Sequence, residues 1–71
     1  MAGDDQAELR RAFAKLSASE QEVLELRVVA ELTAEQAALV LQKAPGAVRT
    51  AQSRALARLR QLLDAESEGR G

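Results

Sequence analysis

Apolar residues return every three or four positions along most of the chain, and no stretch alternates with the two-residue period of a strand. This spacing is typical of amphipathic helices that bury one face. Short polar breaks divide the pattern into four predicted helices, at residues 5–15, 18–30, 33–41 and 45–65. The predicted fold class is therefore an all-α, four-helix domain, and the tight link between the last two helices makes them a helix-turn-helix.

Local side-chain chemistry marks where three of these helices begin. Ser17 with Glu20, and Thr33 with Gln36, have the spacing of capping boxes, in which each side chain binds the other residue's backbone amide. Pro45 suits the first position of a helix, because its missing N–H would have no partner there. The second and fourth helices are thus predicted to start at residues 18 and 45, and the third at residue 33 or 34.

The apolar stripes define a candidate core. Its members are Leu9, Ala12, Phe13, Leu16, Val23, Leu24, Leu26, Val28, Val29, Ala37, Ala38, Val40, Leu41, Val48, Ala55, Leu56, Leu59, Leu62 and Leu63. Arg27 and Glu31 are one turn apart, and we expect them to form an ion pair. The predicted domain spans residues 5–65, between a disordered terminus or cloning remnant at 1–4 and a disordered tail at 66–71.

Composition narrows the classes of function. The 71 residues suit one small domain. The chain has no Cys and no His, which removes disulfides, thiolate metal sites and the usual general base. The carboxylates of the second helix lie at its start or on its outer face, where solvated acids are common. We therefore expect no enzyme, metal or cofactor, and without a signal sequence or membrane segment we expect a cytoplasmic protein.

Charge is sorted along the chain although the net charge is only −1. The balance is −4 over residues 1–42, +5 over 43–63 and −2 over 64–71. The middle segment has no acid, and its cations are Lys43, Arg49, Arg54, Arg58 and Arg60. A helix-turn-helix with a cationic second helix is typical of proteins that place this helix in the DNA major groove.

Position within the motif assigns roles to the polar side chains. Arg49 and Arg54 lie in the part of the helix that reaches base edges, where Arg can bind guanine with two hydrogen bonds. The full set expected to contact DNA is Thr33, Lys43, Gly46, Ala47, Arg49, Thr50, Ser53, Arg54 and Arg58. The alternative is an ordinary helical hairpin with solvated arginines. Ion pairs from both Arg49 and Arg54 to carboxylates of the same chain would favour that alternative.

Several motifs stand at matched spacing between residues 16 and 63. They are Leu16-Ser17, Glu22-Val23-Leu24-Glu25-Leu26-Arg27, Leu32-Thr33 with Ala38, Gly46-Ala47-Val48-Arg49, and Arg54-Ala55-Leu56-Ala57-Arg58-Leu59. Together they resemble the C-terminal DNA-binding domain, region four, of bacterial sigma factors of the extracytoplasmic-function type. The chain departs from that pattern at Gln42, where Gly is common, at Lys43, where an apolar residue is usual, at Ala44, where Ser or Thr caps the helix, and at Ala51, where Arg is frequent.

The resemblance implies partners. It implies binding to the −35 element of promoter DNA while the domain docks on RNA polymerase core through the flap of the β subunit. It also implies an anti-sigma factor as a possible partner, and a monomer when free. The apolar groove for the flap would be lined by Leu9, Phe13, Val23, Leu26 and Val29. Such sigma factors also carry a domain for the −10 element, which this sequence lacks.

Two other functions fit parts of the sequence. One is the helix-turn-helix output domain of a response regulator, although such domains dimerise through their last helix and usually lack Arg54-Ala55-Leu56. The other is a protein-interaction module that no longer binds DNA, which Ala44, Ala51 and the negative net charge would favour. The sequence does not identify a promoter, an inducing signal or a particular partner.

Overall fold

The fold is all-α, as predicted. The computed structural model describes the backbone of residues 2–70 and the side chains of residues 6–66. Its elements, in order, are α1 (Ala2–Ala14), α2 (Ala18–Leu24), a π-helical turn (Glu25–Val29), α3 (Ala34–Leu41) and α4 (Pro45–Arg70). No strand occurs within residues 2–70, and no described helix has the length and apolar character needed to cross a membrane.

The outer ends of the first and last helices differ from the prediction. Helix α1 begins at Ala2, and α4 continues to Arg70, five residues beyond its predicted end. The last turns of α4 therefore include Asp64 and Glu66, so the purely cationic character holds only over residues 45–63. The predicted disorder of residues 1–4 and 66–71 concerns positions largely outside the described side chains and stays a prediction.

Both capping boxes form. The Ser17 hydroxyl accepts a hydrogen bond from the Glu20 amide at 3.2 Å, and the Glu20 carboxylate accepts one from the Ser17 amide at 2.8 Å. The equivalent distances between Thr33 and Gln36 are 3.0 and 2.9 Å. These bonds satisfy amides that a helix start leaves without partners. The four side chains of the two capping boxes therefore indicate where α2 and α3 begin.

The prediction of one continuous helix over residues 18–30 is wrong. The α-helix ends at Leu24, and the next turn is π-helical, with the Ala30 amide bonded to the Glu25 carbonyl at 2.9 Å. A π turn holds one extra residue, which rotates the following side chains by about 100° relative to a continuous α-helix. Val28 and Val29 consequently lie 58% and 77% exposed instead of facing the core.

The predicted ion pair between Arg27 and Glu31 does not form among the described residues. Arg27 Nε donates to Gln52 Oε1 of α4 at 2.7 Å, and its Nη1 donates to the Leu32 carbonyl at 2.8 Å. Glu31 adopts a left-handed conformation, with φ of 57°, and leads the chain away from the turn. Arg27 therefore connects the π turn to α4 and to the backbone segment that leads into α3.

The core consists of two clusters, and α4 contributes to both. The first contains Ala34, Ala37, Ala38 and Val48, with Leu26, Leu32 and Leu41 packed against it. The second contains Leu16, Leu24 and Ala55, with Phe13, Leu59 and Leu62 packed against it. Alanine side chains are short, so they let α3 approach α4 closely. Besides Val28 and Val29, three more residues predicted to face the core are substantially exposed: Leu9, Val40 and Leu56.

The turn of the helix-turn-helix places a non-glycine residue in a glycine-like conformation. Gln42 ends α3 with φ of 58° and ψ of 47°, the left-handed region. The Lys43 amide closes the turn by bonding the Ala38 carbonyl at 3.0 Å. A side chain in this conformation costs about 1 kcal/mol or more relative to glycine. This explains physically why the resembled family commonly has Gly at this position.

Candidate nucleic-acid interface

Helices α3 and α4 form the predicted helix-turn-helix, joined by residues 42–44. They touch through Ala37 and Ala38 of α3 and Val48 of α4, none of which is more than 4% exposed. Because these contacts are tight, the orientation of α4 relative to α3 is fixed by the core. The side of α4 opposite Val48 is exposed over its first three turns, where Arg49, Thr50, Ser53 and Arg54 lie.

All nine residues expected to contact DNA are exposed. Helix geometry arranges those on α4 around its outer face. Relative to buried Val48, Ser53 and Thr50 lie about 140–160° around the helix axis, so they are close to the centre of that face. Arg49 and Arg54 are separated by about 140° around the axis and flank Thr50 and Ser53 from opposite sides. The face thus has small polar groups at its centre and a guanidinium at each edge.

Two of the three predicted contact arginines are held by carboxylates of the same domain. Arg49 Nη2 lies 3.1 Å from Glu35 Oε2, and Arg58 Nε lies 3.6 Å from Glu20 Oε1. Arg54 forms no ion pair with residues 6–66. Exposed ion pairs of this kind contribute about 0–1 kcal/mol, so a phosphate can displace them. The condition that would have removed the DNA hypothesis, pairing of both Arg49 and Arg54, is not met.

The start of α3, where Thr33 is expected to contact DNA, is only partly open to a phosphate. The Thr33 hydroxyl already accepts from the Gln36 amide. The Glu35 carboxylate also lies at this helix start. A hydrogen bond from its own backbone amide and, less strongly, the Arg49 guanidinium hold the pKa of Glu35 below its ordinary value of 4.5. A phosphate near Thr33 would meet this negative charge.

Lys43 and Arg54 come together at a small polar hollow of about 250 Å³ beside α2. Its rim also includes Ser17, Ser19 and Glu20. The convergence of two cations, one from the turn and one from α4, gives this edge of the interface a positive patch. Sequence reasoning identified both cations but not Ser19, because nothing in its spacing connects it with α4.

An apolar groove lies on a separate surface made by α1, the π turn and the middle of α4. It has a volume of about 410 Å³ and is lined by Leu9, Arg10, Phe13, Leu24, Glu25, Val28, Val29, Leu56 and Leu59. Of the five residues expected to line a partner groove, Leu9, Phe13 and Val29 do so. Val23 does not, because it is only 1% exposed, and Leu26 packs instead against the cluster between α3 and α4.

Comparison with known proteins identifies the family. The family described as "Sigma-70, region 4" matches residues 12–61, which include all of α2, the π turn and α3 and the first part of α4. The ECF RNA polymerase sigma factor ShbA of Streptomyces griseus is 47% identical over 60 residues. That match covers 84% of this chain and 31% of the relative, so the chain spans about a third of the relative's length.

No solved structure matches the chain. The family match favours a sigma-factor domain over the output domain of a response regulator, and it agrees with the resemblance found in the sequence motifs. The helix-turn-helix is thus similar to the corresponding part of an ECF sigma factor, and the chain belongs to the sigma-70 region 4 family.

Proposed function

We propose that this domain recognises the −35 promoter element through the exposed face of α4 and docks on the flap of the RNA polymerase β subunit through its apolar groove. The observation that carries the DNA part is that all nine predicted contact residues are exposed on a helix-turn-helix of the region-four family. Both activities belong to a longer sigma factor, of which this domain is one part.

Each part of the α4 face suits a different contact. Thr50 and Ser53, at the centre, are suited to bases or to the nearest phosphates, while Arg54 has a guanidinium that is not committed within residues 6–66. Gly46 adds a steric argument. A Cβ built on Gly46 meets no atom within 4 Å, so the domain itself has room for a side chain there. Glycine at this position leaves space for a close approach by the DNA backbone.

The groove suits an apolar helix from the polymerase. Exposed Val28 and Val29 form one wall, Leu9 and Phe13 another, and Leu56 extends the surface on α4. An amphipathic helix recognises such a groove through side chains spaced three or four residues apart. An anti-sigma factor that covered the same groove would exclude the flap by direct competition.

The DNA part is tested by comparing two arginines of one helix. We expect Arg54→Ala to weaken binding to a −35-type duplex by about 1–3 kcal/mol, because one base or phosphate partner is lost. Arg60→Ala removes the same charge from a residue outside the predicted contacts and should change affinity much less. Fluorescence anisotropy with labelled duplex at several salt concentrations measures both.

Equal losses for the two variants would contradict a defined interface, because they would indicate a diffuse charge effect. If the unmodified chain bound no duplex at low salt but still bound polymerase, the domain would be the interaction module considered as an alternative.

The groove is tested with a matched pair of apolar-to-acidic variants. Val29→Glu should abolish binding to the isolated polymerase flap, because it places a charge in the groove wall. Leu39→Glu changes an 82% exposed residue of α3 outside the groove and should leave flap binding unchanged. Surface plasmon resonance with immobilised flap measures both, and equal loss would show that the partner binds elsewhere.

A further inference from the structure

Glu35 places a negative charge beside the surface that faces DNA. It is the second residue of α3, and its carboxylate contacts Arg49 of α4 at 3.1 Å. The two side chains are 66% and 58% exposed, so both are accessible to a ligand. Arg49 is one of the two arginines that flank the centre of the interface, and this carboxylate is its partner in the free domain.

The position of Glu35 in the first turn of α3, where its own backbone amide bonds the carboxylate, accounts for an acid here but not for its contact with Arg49. The start of α3 is already capped by Thr33 and Gln36, which use each other's amides. Glu35 has no role in that capping box, and its side chain belongs to neither core cluster. A carboxylate beside a DNA-binding surface repels phosphates and weakens binding. Its contact with Arg49 also occupies a guanidinium that is expected to bind DNA.

We infer that Glu35 competes with DNA for Arg49 and so lowers the affinity of the domain for DNA, non-specific DNA included. The inference rests on the proposed promoter binding. On an arbitrary sequence, Arg49 exchanges one anionic partner for another, and Glu35 is left unpaired near the phosphates. The carboxylate thus imposes the same cost on any duplex that binds through Arg49, because the pair with Glu35 has to open first.

This competition has a signature in salt dependence. Binding one phosphate releases counterions from DNA and contributes about 0.9 to the slope of log K against log salt concentration. When Arg49 leaves Glu35, the freed carboxylate attracts cations again, which offsets part of that release. Removing the carboxylate should therefore make the slope for non-specific DNA steeper by up to about 0.9. A residue that only supports the fold would not change this slope.

The test compares Glu35→Gln with Glu22→Gln. Glu22 is an exposed acid of α2 with no ion pair among the described residues, so its variant makes the same change in net charge away from Arg49. Glu35→Gln should bind a non-specific duplex about fivefold more tightly at low salt, since the exposed pair no longer competes for Arg49. Affinity for a −35-type duplex should also rise, while Glu22→Gln should remain close to the unmodified chain.

A second pair of variants shows whether Arg49 transmits the effect. In an Arg49→Gln background, Glu35→Gln should no longer tighten non-specific binding or steepen the salt slope. A gain that persists without Arg49, or one that Glu22→Gln reproduces, would overturn the inference and leave promoter binding itself intact. Absence of duplex binding by every one of these chains would instead refute the proposed function, and the inference with it. Circular dichroism at 222 nm verifies that each variant is folded, and Glu35→Ala provides a second substitution with high helix propensity.

Discussion

Arg27 should be one of the most important side chains for the stability of this domain, although it faces neither DNA nor the groove. Its guanidinium donates to Gln52 Oε1 at 2.7 Å and to the Leu32 carbonyl at 2.8 Å, both in partly buried surroundings. A hydrogen bond from a charged donor contributes about 1.5–3 kcal/mol. Because water partly replaces the lost donor, we expect Arg27→Met to reduce the free energy of unfolding by about 2–4 kcal/mol.

That loss is large for a domain of this size, which holds only about 3–5 kcal/mol in total. At about 4–8 °C per kcal/mol, the melting temperature of Arg27→Met should fall by about 10–30 °C. Thermal and urea unfolding followed by circular dichroism measure the change. The control is Glu31→Gln, because pairing of Arg27 with Glu31 alone would be worth only about 0.2–0.5 kcal/mol.

Small and equal shifts for Arg27→Met and Glu31→Gln would refute the bonding described for Arg27. A double-mutant cycle with Gln52→Met adds a direct measure of the contact. The two substitutions should be strongly non-additive, because each one alone already breaks the bond between the π turn and α4. Additive effects would show that Arg27 stabilises the domain without Gln52.

Two further predictions concern stability. Gln42→Gly should raise the free energy of unfolding by about 1 kcal/mol, since glycine adopts the left-handed conformation without steric cost; a lower urea midpoint would contradict the turn geometry. Glu66 accepts from Lys15 at 2.8 Å and from Arg11 at 3.1 Å, and these bonds hold the pKa of its carboxyl below the ordinary value of 4.5. Its stabilisation is therefore complete above that value and is lost as the pH falls through the lower folded-state pKa. Glu66→Gln should melt below the unmodified chain at neutral pH and converge with it in acid, and a constant difference across the pH range would exclude the ion pairs as the cause.

Features set by neighbouring residues were predictable from the sequence. Each capping box depends on two side chains three residues apart, and Pro45 carries its own signal for a helix start. Helical spacing alone separates the residues expected to contact DNA from buried Val48 and Ala55, and the structure has them exposed. Local chemistry thus determined most of the helix-turn-helix.

The π turn was not predictable because its apolar residues are compatible with a continuous α-helix as well as with a π turn. Leu26, Val28 and Val29 are all apolar, so the sequence does not show which of them faces the core. The choice depends on distant contacts: Leu26 packs against the cluster of α3 and α4, and Arg27 bonds a residue 25 positions away. The groove was only partly predicted for the same reason, since its exposed valine wall exists because of the extra residue in that turn.

Helix α4 spans both core clusters without a break, and this continuity imposes a constraint on length. Thr50, on the side expected to contact DNA, and Leu59, in the groove wall, are separated by nine residues, or about 14 Å along the axis. Adding or deleting one residue between them would turn one surface relative to the other by about 100°. A substitution alters one surface at a time, whereas an insertion or deletion between Thr50 and Leu59 alters the angle between both surfaces.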